Sequence, residues 1–148
     1  MIQLLFILVL HTSGFSKTEY FKVFAGNDET GISKMVQKLE KLSENSDQTA
    51  YLGAIKMKKA EYLKTPKEKL ELFKAGKELL EKSISKNNSN AEYRFLRLLI
   101  QENAPKVLKY NDKIQEDAKF ISSNFANLNA DVKTAVLNYS KTSPNLKI

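Results

Sequence analysis

The chain has 148 residues, no cysteine, no tryptophan, one histidine (His11) and a net charge of +7 at neutral pH. That length makes one domain with a modest core, and without cysteine there is neither a disulfide nor a lipoprotein attachment site. Five glycines and three prolines leave little room for the turns of an all-β fold, whereas abundant Lys, Glu, Leu and Ala favour helix.

Ile2 to Leu10 is apolar except for Gln3. This is the length of a secretory h-region and too short to cross a bilayer, so no transmembrane span is expected. Gly14-Phe15-Ser16 fits the small-x-small pattern for cleavage before Lys17. Residues 1–16 are therefore expected to be a signal peptide, and the protein to be exported, most simply to a periplasm. No Lys or Arg precedes the apolar run; the other reading is a first helix packed in the core. Removal of the segment takes His11 with it. The remaining chain then lacks the side chains enzymes most often use as proton shuttles, thiol nucleophiles and metal ligands.

Lys17 to Ala25 is expected as a short helix. Asp28 caps a second, with Ile32, Met35, Val36, Leu39 and Leu42 at helical spacing. Ser46 or Asp47 caps a third, running to about residue 64. Thr65-Pro66-Lys67-Glu68 is a capping box with Pro at the first helical position, and opens a fourth helix to about Lys86. Ser89-Asn90-Ala91-Glu92 opens a fifth, which Pro105 ends after Asn103. A sixth covers residues 111–125, and Asn129 opens a seventh that Ser143-Pro144 stops. The expected fold is all-α, with six to seven helices in stacked antiparallel hairpins. A single domain spans 17–142, and residues 143–148 form a frayed tail.

Gly53 and Gly76 lie inside strong helices, where each costs about 1 kcal/mol relative to Ala. They sit at nearly equal distances from the turn at Thr65. In an antiparallel pair they would face each other, and the spacing predicts a tight crossing there. Gln48-Thr49-Ala50-Tyr51 and Asn90-Ala91-Glu92-Tyr93 open successive hairpins, 42 residues apart, and form a weak internal repeat.

Leu52-Gly53-Ala54, then Gly76, Leu80 and Ser83-Ile84, then Asn87 through Glu92 together resemble a tetratricopeptide (TPR) repeat over roughly residues 50–92. The helices are longer than the family's, and Asn88 stands where the family usually has Pro. The stretch Glu92 through Gln101, with Pro105, Tyr110 and Asp117, also resembles a group of exported helical proteins of Bacteroidota-type bacteria. These resemblances imply a lineage and a TPR-like fold, but no activity.

Arg94 and Arg97 are the two arginines against 22 lysines. Three apart, they share a helix face that Gln101 continues. A largely buried Arg needs a partner, and Asp117, between Ile114 and Ile121, is the expected one. Two readings follow: a concave site gripping a carboxylate or peptide backbone, or an internal salt bridge fixing the register of two helices. Residues 52–86 carry ten Lys against five Glu. Lys56, Lys59, Lys67, Lys74 and Lys77 are expected to form a basic face, open to polyanions or an anionic envelope surface, or a solvated face only. The scarcity of Arg argues against a nucleic-acid partner.

Ser83-Ile84-Ser85-Lys86 matches a Ser-x-x-Lys motif without its companion elements. Asn27 to Gly31 lacks the length and ligand alternation of a calcium loop. Tyr20, Phe21 and Phe24 form an aromatic cluster suited to packing or to anchoring a partner. The sequence therefore predicts a non-catalytic protein-binding module with no cofactor or metal. It names no partner and fixes no oligomeric state.

Overall fold

The computed structural model describes residues 14–148. Within them run seven α-helices: α1 (Lys17–Ala25), α2 (Glu29–Glu40), α3 (Ser46–Ala60), α4 (Pro66–Lys86), α5 (Ala91–Asn103), α6 (Ile114–Asn124) and α7 (Ala130–Ser140). Two short 3-10 turns, Lys106–Leu108 and Phe125–Asn127, precede α6 and α7, and no strand occurs among the described residues. The apolar run Ile2–Leu10 lies outside the described residues.

Side-chain caps start most of these helices. Asp28 accepts from the backbone N–H of Thr30 and Gly31, and Thr65 and Glu68 form a reciprocal capping box at α4. The cap of α3 is Asn45, not Ser46 or Asp47, and that of α5 is Asn90, not Ser89. In each case the Asn oxygen holds the extended backbone position and reaches the next turn's donors. The sixth helix begins at Ile114, three residues later than expected, because residues 106–108 first complete a 3-10 turn. Lys109 closes that turn in the left-handed region, φ 49°.

Helix α3 is the central element. Ten of its residues, including Tyr51, Leu52, Ile55 and Met57, are buried. It packs against α2, α4 and α5, so it needs no single apolar stripe. On α4, Gly76 stands against Gly53. A Cβ built on Gly53 would lie 2.6 Å from the Gly76 carbonyl oxygen, and one on Gly76 only 2.5 Å from the Gly53 oxygen and 2.9 Å from the Met57 nitrogen. The two helices run antiparallel, with backbone against backbone at this point.

The C-terminal segment does not fray. Leu146 is fully buried, and Ser143 nearly so. Pro144 ends α7, but the Ser143 hydroxyl then accepts from the N–H of Asn145 (3.2 Å) and Leu146 (2.9 Å) and donates to Glu102 (2.8 Å). Asn145 donates to the same carboxylate at 2.7 Å. A short turn thus folds the tail back and buries Leu146, while Ile148 at the end stays exposed. At the other end, Phe15 packs on Tyr51 with ring centroids 4.7 Å apart, and Ser16 caps α1. Both residues are part of the folded domain.

Because the obstructing atoms at the crossing are backbone, Gly76→Ala should destabilise by about 1–3 kcal/mol, as overpacking does, although Ala is the better helix former. Urea unfolding followed by circular dichroism measures this; a gain in stability would refute the close contact.

Candidate functional site

Asp117 is completely buried and Arg97 almost so. Arg97 meets Asp117 through two parallel bonds, Nε to Oδ2 at 2.7 Å and Nη2 to Oδ1 at 2.8 Å. Its third nitrogen reaches Glu81 of α4 at 3.0 Å. Burial opposes the charge of Arg97, but the hydrogen bonds and field of Asp117 outweigh it and raise its pKa. Arg94 also reaches Asp117 (3.2 Å) and Glu116 (3.0 Å), and lies over the Phe120 ring. Gln101 Oε1 accepts from the backbone N–H of Lys113 at 3.1 Å, while its Nε2 has no partner among the described residues. The four residues therefore join α5 to α4 and α6. All three nitrogens of Arg97 are engaged within the chain.

A second polar cluster ties α1, α3 and α5 together. Tyr51 of α3 donates to Glu92 at 2.5 Å, and Tyr93 of α5 donates to Asp47 at 2.5 Å. The first turns of the two repeat-like helices are thus bonded reciprocally. Lys17 bridges both carboxylates; burial disfavours its charge, yet hydrogen bonding to Glu92 leaves its pKa raised. Tyr110 donates to Glu81 and Tyr139 to Glu102, each at 2.5 Å.

The expected basic face is divided among different neighbours. Lys56 pairs with Glu40 of α2 at 3.0 Å, Lys67 lies 4.0 Å from Glu71, and Lys77 covers the Tyr110 ring at 4.7 Å. Lys59 is half-buried and Lys74 exposed. Lys56 and Lys59 belong to α3 and Lys67, Lys74 and Lys77 to α4, so the five are spread over two helices. Ser83 of the Ser-x-x-Lys match donates to the Ser46 carbonyl at 3.0 Å, an α4–α3 tie. Among the described residues no group of three His, Cys, Asp or Glu side chains could hold a metal ion, and no helix is long and apolar enough to cross a membrane.

Apart from Tyr139, none of these residues line a mostly apolar cleft of about 1170 Å³. One wall comes from α1 (Thr18, Phe21, Lys22, Ala25) and α7 (Asp131, Thr134, Ala135, Asn138), which pack together. Another comes from the end of α3 (Met57, Ala60) and the start of α4 (Pro66, Lys69, Leu70, Phe73). Phe95, Leu99, Ile100 and Asn103 of α5 lie between, and Val107 and Leu108 close one end. On α1, α4 and α7 the lining residues recur every three or four positions, so each helix turns one face to the cleft. Leu70 and Val107 expose 40% and 84% of their surface, which marks the cleft as unfilled apolar surface. Lys58 on its wall is paired with Glu61 at 3.1 Å; Lys22 and Lys69 form no ion pair among the described residues. Phe21 and Phe24 do line the cleft, so the aromatic cluster both packs α1 and forms wall.

Asp117→Asn should lower stability by roughly 3–5 kcal/mol, since it leaves a buried guanidinium short of its charge partner, whereas Arg97→Met with Asp117→Leu should recover most of that loss. Urea midpoints of the two variants decide this; equal losses would mean that the pair itself carries the stability. Burial, reinforced by adjacent carboxylates for Tyr51, Tyr93, Tyr110 and Tyr139, raises the pKa of these four and of Tyr20 above the ordinary 10.0. A raised folded pKa contributes stability that is complete below the unfolded value and lost as pH climbs toward the folded one. Stability should therefore hold up to about pH 9 and fall from about pH 10, with tyrosinate absorbance appearing in step with loss of helix. Ionisation ahead of unfolding would contradict the burial.

No protein-family model matches the chain, and no curated protein or solved structure proves similar to it.

Proposed function

We propose that this is an exported, non-catalytic, TPR-like module whose cleft binds an amphipathic helix of a partner protein. The cleft carries the reading. At about 1170 Å³ it exceeds the roughly 300–1,000 Å³ of usual small-molecule pockets. A helix about 10 Å across would fill that volume over about 15 Å, or about ten residues. Five helices converge on it, as in helix-in-groove recognition. Lys22 and Lys69, without ion partners among the described residues, complement a stripe flanked by carboxylates. The non-catalytic part of the proposal draws support from the buried carboxylates: Asp117, Glu92 and Glu102 each accept from Arg, Lys, Tyr, Ser or Asn side chains of the chain itself. The α3–α4 pair and the reciprocal bonding of α3 and α5 support the TPR-like part.

Selection of helical peptides from a displayed library against the protein, followed by anisotropy titration, tests the reading. The selected sequences should converge on apolar residues at i, i+3, i+4 and i+7 flanked by Asp or Glu. Leu70→Asp should weaken binding at least about tenfold, a loss of about 1.4 kcal/mol. Lys22→Glu with Lys69→Glu should flatten the salt dependence. A selection that enriches no such stripe, or affinity indifferent to Leu70→Asp, overturns the proposal.

A further inference from the structure

The start of α1 is specified by residues on both sides of the cleavage point expected from the sequence. Ser16 Oγ accepts from the N–H of Glu19 at 3.1 Å, and the Ser16 carbonyl accepts from the N–H of Tyr20 at 2.9 Å. Phe15, just before this cap, packs on Tyr20 (ring centroids 6.0 Å apart), the fourth residue of the helix, and edge-on against Tyr51 at 4.7 Å. An apolar residue before the cap packed on the fourth helical residue is a hydrophobic staple. Tyr20 is fully buried and donates to the Tyr51 carbonyl at 2.9 Å, so the staple fastens α1 to the central helix. A cut before Lys17 would remove the cap and the staple together, and with them the signal that positions the first helix.

Leader peptidases accept small residues at the cleavage residue and two positions before it. Between Leu10 and Lys17 two sites meet that rule: Ser16 preceded by Gly14, and Gly14 preceded by Thr12. The second leaves Phe15 and Ser16 on the mature chain. We infer that the leader is removed by hydrolysis of the Gly14–Phe15 peptide bond, so that the mature protein begins at Phe15. The inference rests on the export reading of Ile2–Leu10. One water is consumed; Gly14 leaves with the carboxylate and Phe15 gains the α-amino group. Gly14 is exposed and Phe15 half-buried, so the bond lies where the chain enters the fold. Gly14 and Phe15 line a cavity of about 530 Å³ together with Asp47. The Asp47 carboxylate, 47% exposed, faces the same cavity.

Intact mass spectrometry of the protein made from the full-length chain in a Gram-negative host reads the cleavage position directly. A mature chain beginning at Phe15 is expected. A chain beginning at Lys17, or at any other internal residue, overturns the inference while leaving export in place; only full-length chain retained in the cytosol overturns the export reading itself. Two variants separate the sites. Thr12→Asp places a charge two positions before Gly14 and should abolish the chain that begins at Phe15, leaving precursor or a cut at the alternative site. Ser16→Asp spoils only the alternative site and keeps a competent helix cap, so it should still be processed at Phe15 with unchanged helical content. Persistence of the chain beginning at Phe15 in Thr12→Asp would refute the assignment of Thr12 and Gly14 as the recognised pair.

Discussion

The fold hangs on the contact of two helix backbones at Gly53 and Gly76. Helices usually pack with axes about 8–10 Å apart, the distance being set by the side chains between them. Here the space for a Cβ on either residue is already occupied by backbone atoms of the other helix. This closeness draws α4 onto α3 and leaves the other sides of α3 for α2 and α5, so one helix becomes a core post. It also sets the position of the α4 stripe. Leu70 and Phe73 lie toward the turn, beside the end of α3 at Ala60, and both line the cleft, Leu70 exposed and Phe73 buried in the core behind it.

The polar groups follow a matching economy. Buried hydroxyls and charges need partners, and this protein meets the need with pairs that cross between helices. Tyr51 with Glu92 and Tyr93 with Asp47 join α3 to α5; Arg97 with Asp117 joins α5 to α6, and Glu81 brings in α4. Such pairs are directional where apolar contacts are not, so they fix which turn of one helix sits against which turn of the next. Carboxylates held this way are acceptors with their lone pairs occupied. The carboxylates in these pairs thereby serve packing geometry.

Local chemistry was legible in the sequence; tertiary encounters were less so. Thr65-Pro66 and Glu68 start α4 because cap and box act within four residues, and the two glycines could be placed face to face because a single short turn relates them. Asp117 was identifiable because a charge inside an apolar stripe demands a partner. The caps at Asn45 and Asn90 were misplaced by one residue, since neighbouring Ser, Asn and Asp are nearly equal as caps and tertiary context chooses among them. The five lysines of the expected basic face fall on two helices, and the partners that two of them meet, Glu40 for Lys56 and the Tyr110 ring for Lys77, are not visible in a charge count. Pro144 correctly signalled the end of α7, but not that Ser143 would turn the tail back and bury Leu146. The cleft was least legible of all: its walls come from five segments spread between Thr18 and Thr142, and only the unusual exposure of Leu70 and Val107 hints at it.

Helix α1 links the two ends of this arrangement. It spans nine residues, too short to be stable alone, and it holds its place by docking. Its first turn is fastened by the Phe15 staple, the Ser16 cap and the Lys17 bridge to Glu92 and Asp47. Phe21, Lys22 and Ala25 of the same helix, one to two turns on, form wall in the cleft. The direction in which those side chains point is set by the rotation of α1 about its axis, and that rotation is set at its first turn. A helix begun two residues later would lack both cap and staple, and the cleft wall would lose its reference. The integrity of the N-terminal residues and the shape of the proposed binding surface are therefore one structural problem, solved by the six residues from Phe15 to Tyr20.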